Sequence, residues 1–190
     1  MSDTLAILLT TIFVNNFVTI QCLGLFPLLS ASQKFNSAIG MAIATTFVLT
    51  LASAVSFPIE IYVLKTFNLQ YFRIIIFFVL IACLVQFFEI IIRSIHPRFH
   101  SLHRAFIPLI TTNCAVIGVV LINVREAGSF IHAVLFGFGA AIGYSLVLIL
   151  FAAIQEQQRA RAIPKVFRGT AINMITTGLL SLGFMGFTGM

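Results

Sequence analysis

Charge is scarce in this sequence, and its scarcity excludes most soluble architectures. Only 8% of the 190 residues are Asp, Glu, Lys or Arg, whereas 60% are hydrophobic. A soluble globule of this length needs more polar surface to cover its core. The sequence also lacks a Gly-rich phosphate loop, a GxSxG motif, an HExxH motif and paired carboxylates within one apolar segment. This chain alone therefore contains no complete hydrolytic or hydride-transfer active site.

Long apolar segments fill most of the chain and predict an all-α integral membrane protein. A helix needs about 20 apolar residues to cross roughly 30 Å of hydrocarbon. Six segments qualify, at about residues 4–29, 37–59, 69–92, 105–122, 130–154 and 169–190. They leave no room for a soluble domain, so residues 1–190 are predicted to form a single membrane domain. Asp3 stands where a signal peptide has basic residues, so the first segment is predicted to be retained as a span.

The basic residues predict how these six spans are oriented. With the N-terminus outside, the first, third and fifth connections are cytoplasmic, and eight of the 11 Lys and Arg residues lie in them. The other three are Lys65, Arg73 and Arg125. Because short cytoplasmic loops carry the excess of Lys and Arg, both termini are expected outside, in the periplasm of a Gram-negative bacterium. The basic loops are interpreted as topology signals that contact the lipid bilayer, with no nucleic acid as partner.

Three histidines in the third connection, His96, His100 and His103, raise the question of a metal site. Pro97 breaks the local helix, and no Cys or carboxylate joins the histidines within the loop. A solvated interfacial face is therefore the preferred interpretation, and docking of an acidic soluble partner is the alternative.

The two halves of the chain carry a weak internal repeat. Four pairs are offset by 95 positions: Phe35 and Phe130, Ala38 and Ala133, Phe72 and Phe167, and Arg73 and Arg168. Three spans per half place corresponding spans in opposite orientations. The pattern thus predicts six transmembrane helices as two inverted three-helix repeats, at about residues 1–95 and 96–190. In transport proteins of this plan the working site lies near the midplane at the repeat interface.

Two polar breaks interrupt the first and fourth segments, which begin the two halves. Asn15 and Asn16 form the first break, and Thr111, Thr112 and Asn113 form the second. Lipid offers the backbone no hydrogen bonds, so a break at membrane depth must face protein, water or a cofactor. Helices 1 and 4 are therefore expected to be interrupted near the midplane and to meet there.

Cysteines follow both breaks. Cys22 and Cys114 are predicted to lie at similar depth in the two half-repeats, and two soft thiolates make half of the ligand set of a metal or iron–sulfur cluster. A second chain would have to supply the rest. Buried structural cysteines are the default alternative. Cys83 lies in an unbroken apolar run and is expected to behave as a small hydrophobe.

Glu89 is the acidic residue that falls within a predicted span rather than near its end. Its spacing from Arg93 suits an ion pair between residues four apart on one helix. This structural pairing is favoured over a proton-relay role, which remains open because carboxylates in membranes are functional candidates by default.

Several stretches resemble the A-type subunits of bacterial Rnf (Rsx) electron-transport complexes. They are residues 14–18 (VNNFV), Leu23, Gly24 and Leu25 with Pro27, residues 40–48, residues 107–116 (IPLITTNCAV), residues 150–154 and residues 167–169. The resemblance runs in order along essentially the whole chain, and IPLITTNCAV is its most specific part. The related E-type subunit of the sodium-pumping NADH:quinone reductase is the nearest alternative.

The resemblance implies a six-span subunit of the bacterial inner membrane, paired with a homologous E-type subunit of opposite topology and with other subunits of the complex. Such a pair is expected to share a [2Fe–2S] cluster inside the membrane, with two cysteines from each chain. The complex is expected to couple electron transfer between ferredoxin or NADH and other carriers to translocation of Na⁺ or H⁺. This chain would thus be one subunit of a translocase.

One departure from the family pattern concerns the cluster. Phe26 occupies the position of the family's first cysteine, and Cys22 lies four residues earlier, whereas Cys114 matches directly. Two positions four residues apart lie on the same helix face but differ by about 6 Å along the helix axis. A cluster ligand at Cys22 instead of position 26 would therefore need local rewinding near Gly24. A relocated ligand, altered ligation and a structural subunit without a cluster remain open. A stand-alone inverted-repeat secondary transporter is the alternative from another class.

Overall fold

Helices make up all of the regular structure that is described. The computed structural model describes residues 8, 10–14, 16–21, 23–25, 29, 35–95, 110–126, 128–159 and 169–186. Within these ranges the α-helices are α1 (Phe35–Ile59), α2 (Arg73–Ile95), α3 (Cys114–Glu126), α4 (Phe130–Arg159) and α5 (Thr170–Met185). These ranges contain no strand, which agrees with the predicted all-α class.

Three of the described helical stretches are long and apolar enough to cross a membrane. They are Ser37–Leu64, Gln70–Ile91 and Phe130–Arg159, and they coincide with the second, third and fifth predicted spans. The helix α5 is apolar but has only 16 residues, and α3 has 13. The described part of the chain is thus all-helical with three candidate membrane spans, and the arrangement of the chain as six spans in two inverted repeats stays a prediction.

The most extensive helix contact joins α1 and α4, which run antiparallel. The hydroxyls of Thr46 and Ser145 lie 3.4 Å apart. Ser53, further along α1, lies against Gly137, which comes earlier in α4. A Cβ atom on Gly137 would lie 2.3 Å from the Ser53 side chain, so this close approach of the two backbones requires glycine. An inverted repeat of three spans requires the second and fifth spans to run antiparallel. The antiparallel pair of α1 and α4 is compatible with such a repeat.

The helix α2 buries only one apolar stripe. Phe77, Ile81 and Val85, spaced at four-residue intervals, are buried against the other helices. Ile74 and Phe78 are exposed, as are many other apolar side chains of this helix. Cys83 is exposed too. An apolar surface of this kind fits contact with hydrocarbon better than contact with water.

An ion pair closes the corner between α1 and α2. The helix α1 passes into a π-helical turn, Glu60–Leu64, and a short 3₁₀ turn, Gln70–Phe72, precedes α2. The Arg73 Nε donates to Glu60 Oε2 at 3.1 Å, and Nη2 pairs with Oε1. Spacing within one helix did not predict this pair, because Glu60 and Arg73 belong to different helical segments.

Candidate functional site

Asn16 stabilises the first break with its side chain. A π-helical turn, Thr10–Val14, precedes it, and the chain is non-helical at residue 16 and forms turns over residues 17–20. The Asn16 amide donates to the carbonyl oxygens of Ile12 and Gly143, both at 3.1 Å. Its Oδ1 accepts the N–H of Val18 at 3.1 Å. The side chain is fully buried, so it satisfies backbone groups that lipid could not.

Asn113 stabilises the second break in the same way. Ile110 and Thr111 are helical, Thr112 forms a turn, and α3 begins after Asn113. The Asn113 Oδ1 accepts the N–H of Ala115 at 3.0 Å. Its amide donates to the Tyr144 hydroxyl at 3.4 Å, and the residue is fully buried. In both breaks an asparagine oxygen thus accepts the N–H two residues later, the pattern of an Asx turn.

Both breaks contact the middle of α4. The amide of Asn16 reaches Gly143, and that of Asn113 reaches the next residue, Tyr144. A Cβ on Gly143 would lie 3.1 Å from Asn16 Nδ2 and 3.2 Å from Ile12 O. Gly139, one turn earlier, lies equally close to Thr11. The small-residue pattern of Gly139 and Gly143 therefore lets the backbone of the first segment pack directly on α4.

Gly24 connects the segment after the first break to the start of α3. Its N–H donates to Cys114 Sγ at 3.1 Å. Its φ is +79°, a value that side-chain-bearing residues rarely adopt. A Cβ there would lie 2.9 Å from both Asn113 Oδ1 and Tyr144 Cε2. Only glycine can therefore bring this backbone against both Asn113 and Cys114.

The helix α5 supports the first break from a further side. The Ser181 hydroxyl donates to the carbonyl oxygen of Thr19, which is itself buried. Phe17 packs edge-on against Phe136 of α4, with ring centroids 5.6 Å apart. The turn after Asn16 is thus held between α4 and α5.

Cys114 is the predicted ligand whose position the structure describes. It is the first residue of α3 and is exposed, while its neighbours Asn113 and Ala115 are buried. The default interpretation of a buried structural cysteine is therefore wrong for Cys114. The helix α3 begins at Cys114, directly after the break at Asn113, and the side chain of Cys114 points out of the packed interior. An exposed sulfur at a helix N-terminus, where negative charge is favoured, can bind a metal or be reached by another chain.

The other predicted site residues divide into described and undescribed positions. Thr112 is exposed in the turn before Asn113, and Thr111 is half-buried. Asn15, Cys22 and Phe26 lie outside the described residues, as do the three loop histidines and the side chain of Arg93. The ligand role of Cys22, the histidine hypothesis and the ion pair of Glu89 therefore stay predictions.

The described residues fit one part of a shared iron–sulfur site. Within the described ranges, no group of three or more His, Cys, Asp and Glu side chains could hold a metal ion. At the two breaks, the described residues offer one cysteine sulfur, that of Cys114, because the other described cysteine, Cys83, lies on α2. Hydrogen bonds to the sulfurs are among the features that set the potential of iron–sulfur clusters, and Gly24 supplies such a bond. Further ligands would have to come from Cys22 and from a second chain.

Three residues of the site were missed at the sequence level, namely Gly143, Tyr144 and Ser181. Gly143 belongs to a run of small residues in the sequence that is typical of ordinary helix packing. Tyr144 is the one tyrosine of three that lies deep inside a predicted span, which was an available sign of a buried polar partner. Ser181 offered no comparable sign, since hydroxyls are common in apolar helices.

Comparisons with known proteins cover the whole chain. Residues 4–190 match the family described as Rnf-Nqr subunit, membrane protein. A protein of Shewanella sp. (strain ANA-3), named as the A-type subunit of an ion-translocating oxidoreductase complex, is 51% identical over 190 residues, which are 100% of this chain and 99% of that relative. Proteins of the same name from Aliivibrio salmonicida and Vibrio campbellii are each 50% identical over 190 residues, covering 100% of this chain and 98% and 99% of the relatives.

Proposed function

The chain belongs to the Rnf-Nqr family of membrane proteins, and we propose that it carries electrons through the bilayer within its complex. The resemblance found in its motifs is thereby confirmed. It is a subunit of an ion-translocating oxidoreductase complex. In the finer proposal, the electrons pass through a [2Fe–2S] cluster shared with a homologous E-type subunit, and their transfer is coupled to transport of Na⁺ or H⁺.

The hydrogen bond from Gly24 to Cys114 is the observation that carries this proposal. It places the segment after the first break 3.1 Å from the sulfur after the second. Cys22 precedes Gly24 by two residues in the sequence, which supports Cys22 as the second ligand of the same site. A stand-alone transporter has no need of sulfur at this point, whereas a shared cluster requires it.

The chain's own residues would hold and surround the cluster. Cys114 would bind iron, Cys22 is the proposed second ligand, and the partner subunit would give two more. When bound, such a cluster supplies one-electron transfer. The Gly24 N–H donates to the Cys114 sulfur, and Asn16 and Asn113 fix the two backbones that carry the ligands. The packed side chains behind Cys114, including Ala115 and Tyr144, keep water away from that side.

The family resemblance suggests the proposed partner, and the distribution of basic residues suggests the proposed orientation. An E-type subunit of opposite topology would present its own sulfurs to the exposed Cys114 across the membrane interior. The excess of Lys and Arg in the first, third and fifth connections favours a periplasmic location for both termini. The exposure of Cys114 supports an interface at this position, because a sulfur buried within one chain could not be shared.

Purification together with the E-type subunit tests the proposal. The purified pair is expected to contain iron and acid-labile sulfide in equal amounts and to give an electron paramagnetic resonance signal after reduction. The same signal should be absent from this chain purified alone. A pair that assembles fully but contains neither iron nor sulfide would contradict the cluster and leave a structural role for this chain.

A further inference from the structure

A buried carboxylate lies in a region that the proposed electron path does not use. Glu60 is 2% exposed and begins the π-helical turn at the end of the apolar stretch Ser37–Leu64. Ionisable residues in membrane segments are rare, costly to bury and commonly mark ion pathways. The burial of an ionisable side chain at the end of an apolar stretch therefore singles out Glu60.

Arg73 neutralises this carboxylate from the side nearer to solvent. Two guanidinium nitrogens face the two carboxylate oxygens, with Nε 3.1 Å from Oε2. The side chain of Arg73 is 23% exposed, whereas that of Glu60 is 3% exposed. Because Arg73 is the more exposed partner, opening of the pair would require movement of the arginine side chain and not of the buried glutamate.

A polar cavity gives access to the pair from outside the bundle. It has a volume of about 440 Å³ and is lined by Asn68, Gln70, Tyr71 and Arg73 itself. The first three of these residues are exposed. The connection that carries them is predicted to lie on the outer side of the membrane. Water and small ions can thus approach Arg73 from that side.

Buried hydroxyls continue inward from Glu60 along α1. Ser56 lies one turn before Glu60 and donates to the carbonyl oxygen of Ser53 at 3.1 Å. Ser53 and Thr45 are fully buried, and their hydroxyl oxygens have no hydrogen-bond partner within the described part of the chain. Buried polar atoms without partners are uncommon and call for an explanation such as an ion or water that visits them. Oxygen atoms are the ligands that hard cations prefer.

We propose that Glu60 is a binding site for a small monovalent cation, Na⁺ or H⁺, and that Arg73 occupies its carboxylate when the cation is absent. The proposal rests on the proposed function for the identity of the cation, which is the ion that the complex transports. The cavity at Asn68 leads to the site from outside, and the buried hydroxyls of Ser56 and Ser53 continue from Glu60 along α1. The Glu60–Arg73 pair is thus a gate in an ion path.

A purely structural ion pair would behave differently when both charges are removed. Replacing a buried pair by neutral residues is often harmless to stability, whereas removing one partner leaves an uncompensated charge. The variant Glu60→Gln/Arg73→Gln therefore separates the two roles. It removes the cation-binding carboxylate but leaves no unpaired charge behind.

The test uses the complete complex reconstituted into lipid vesicles. Cations moved per electron are measured as uptake of radioactive sodium and, in parallel, as the response of a pH-sensitive dye, which distinguishes Na⁺ from H⁺. The double variant is expected to lower this ratio about tenfold or more, because an amide carries no negative charge to bind a monovalent cation and cannot take up a proton as a carboxylate does. Electron transfer in vesicles made permeable with an ionophore should match that of the wild type. Wild-type ion transport by the double variant would overturn the proposal.

Further variants keep the test decisive. Arg125→Gln/Glu126→Gln removes the same two charges from adjacent exposed positions and should leave the ratio unchanged. If the amide pair does not assemble, Glu60→Leu/Arg73→Met provides an apolar pair and is expected to show the same loss of transport. Failure of both neutral pairs to assemble would overturn the proposal, since the ion pair would then be needed for folding. The iron signal of each complex reports on the proposed electron path separately.

Discussion

The side-chain amides of Asn16 and Asn113 donate to consecutive residues of α4, the Gly143 carbonyl oxygen and the Tyr144 hydroxyl. Each asparagine also accepts the N–H two residues after itself. The two breaks therefore have the same local geometry and contact the same part of α4. An amide serves both needs at once, because it carries two donors and one acceptor oxygen.

Replacing either asparagine by alanine is expected to destabilise the protein. The variants Asn16→Ala and Asn113→Ala each leave buried backbone or hydroxyl groups without a partner, at a cost of about 1–3 kcal/mol. Because both act through neighbouring residues of α4, the double variant is expected to deviate from the sum of the two. Thermal unfolding of the detergent-solubilised protein measures these effects.

Asn173→Ala serves as the matched control for these two variants. Asn173 is a half-buried residue of α5 outside both breaks, so its replacement should change the midpoint little. Equal midpoints for Asn16→Ala, Asn113→Ala and this control would contradict the assigned role of the two breaks.

Gly24→Ala is expected to disrupt the contact with Cys114. The new methyl group would collide with Asn113 Oδ1 and the Tyr144 ring, and the alanine would also have to adopt a φ of +79°. The combined cost is about 2–4 kcal/mol. Unfolding midpoints and the iron content of the complex should both fall. Gly178→Ala provides the control, since nothing lies within 4 Å of the added atom and the residue is helical. A Gly24→Ala protein as stable as this control would refute the assigned packing.

The chain's apolar runs predicted its helices well, because length and hydropathy are local properties. The second, third and fifth spans coincide with described helices, and α3 begins directly after the predicted break at Asn113. The partners of the breaks were not predictable in the same way. Gly143 is 127 positions from Asn16, and no local pattern specifies which helix a buried amide will face.

The ion pair of Glu60 with Arg73 shows the same limit. Pairs within one helix can be read from a spacing of three or four residues, and this rule led to Glu89 and Arg93. Glu60 and Arg73 are 13 positions apart and meet only because the chain reverses direction between α1 and α2. The geometry of that corner depends on a π-helical turn, which has no clear sequence signature.

The predicted topology can be checked with reporter fusions. Alkaline phosphatase fused after Met190 is expected to be active, because the excess of Lys and Arg in the first, third and fifth connections places the C-terminus outside. The same reporter inserted within residues 155–168 should be inactive, and a fluorescent protein inserted there should fold. A cytoplasmic C-terminus would refute the six-span N-out arrangement.

The cysteines allow the proposed cluster to be tested residue by residue. Cys114→Ser is expected to abolish the iron signal of the complex with its E-type partner, because a hydroxyl is a much poorer iron ligand than a thiolate. Cys83→Ser is the matched control, since Cys83 is the other exposed cysteine of the described residues and lies on α2. It should leave the signal intact. Equal iron contents in these two variants would refute the ligand role of Cys114.

Cys22 requires a separate comparison, because Phe26 stands at the family's cysteine position. If Cys22 is the relocated ligand, Cys22→Ser should lose the same signal as Cys114→Ser. Cys22→Phe combined with Phe26→Cys should then restore it, since this exchange returns the sulfur to the family's position beside Gly24. Full iron content in Cys22→Ser, with loss in Cys114→Ser, would show that Cys22 only packs and that another group completes the site. The spectrum of the signal in Cys22→Ser would then distinguish altered ligation from an unchanged cluster. Replacing a sulfur ligand by nitrogen or oxygen shifts the potential and the resonance of the reduced centre.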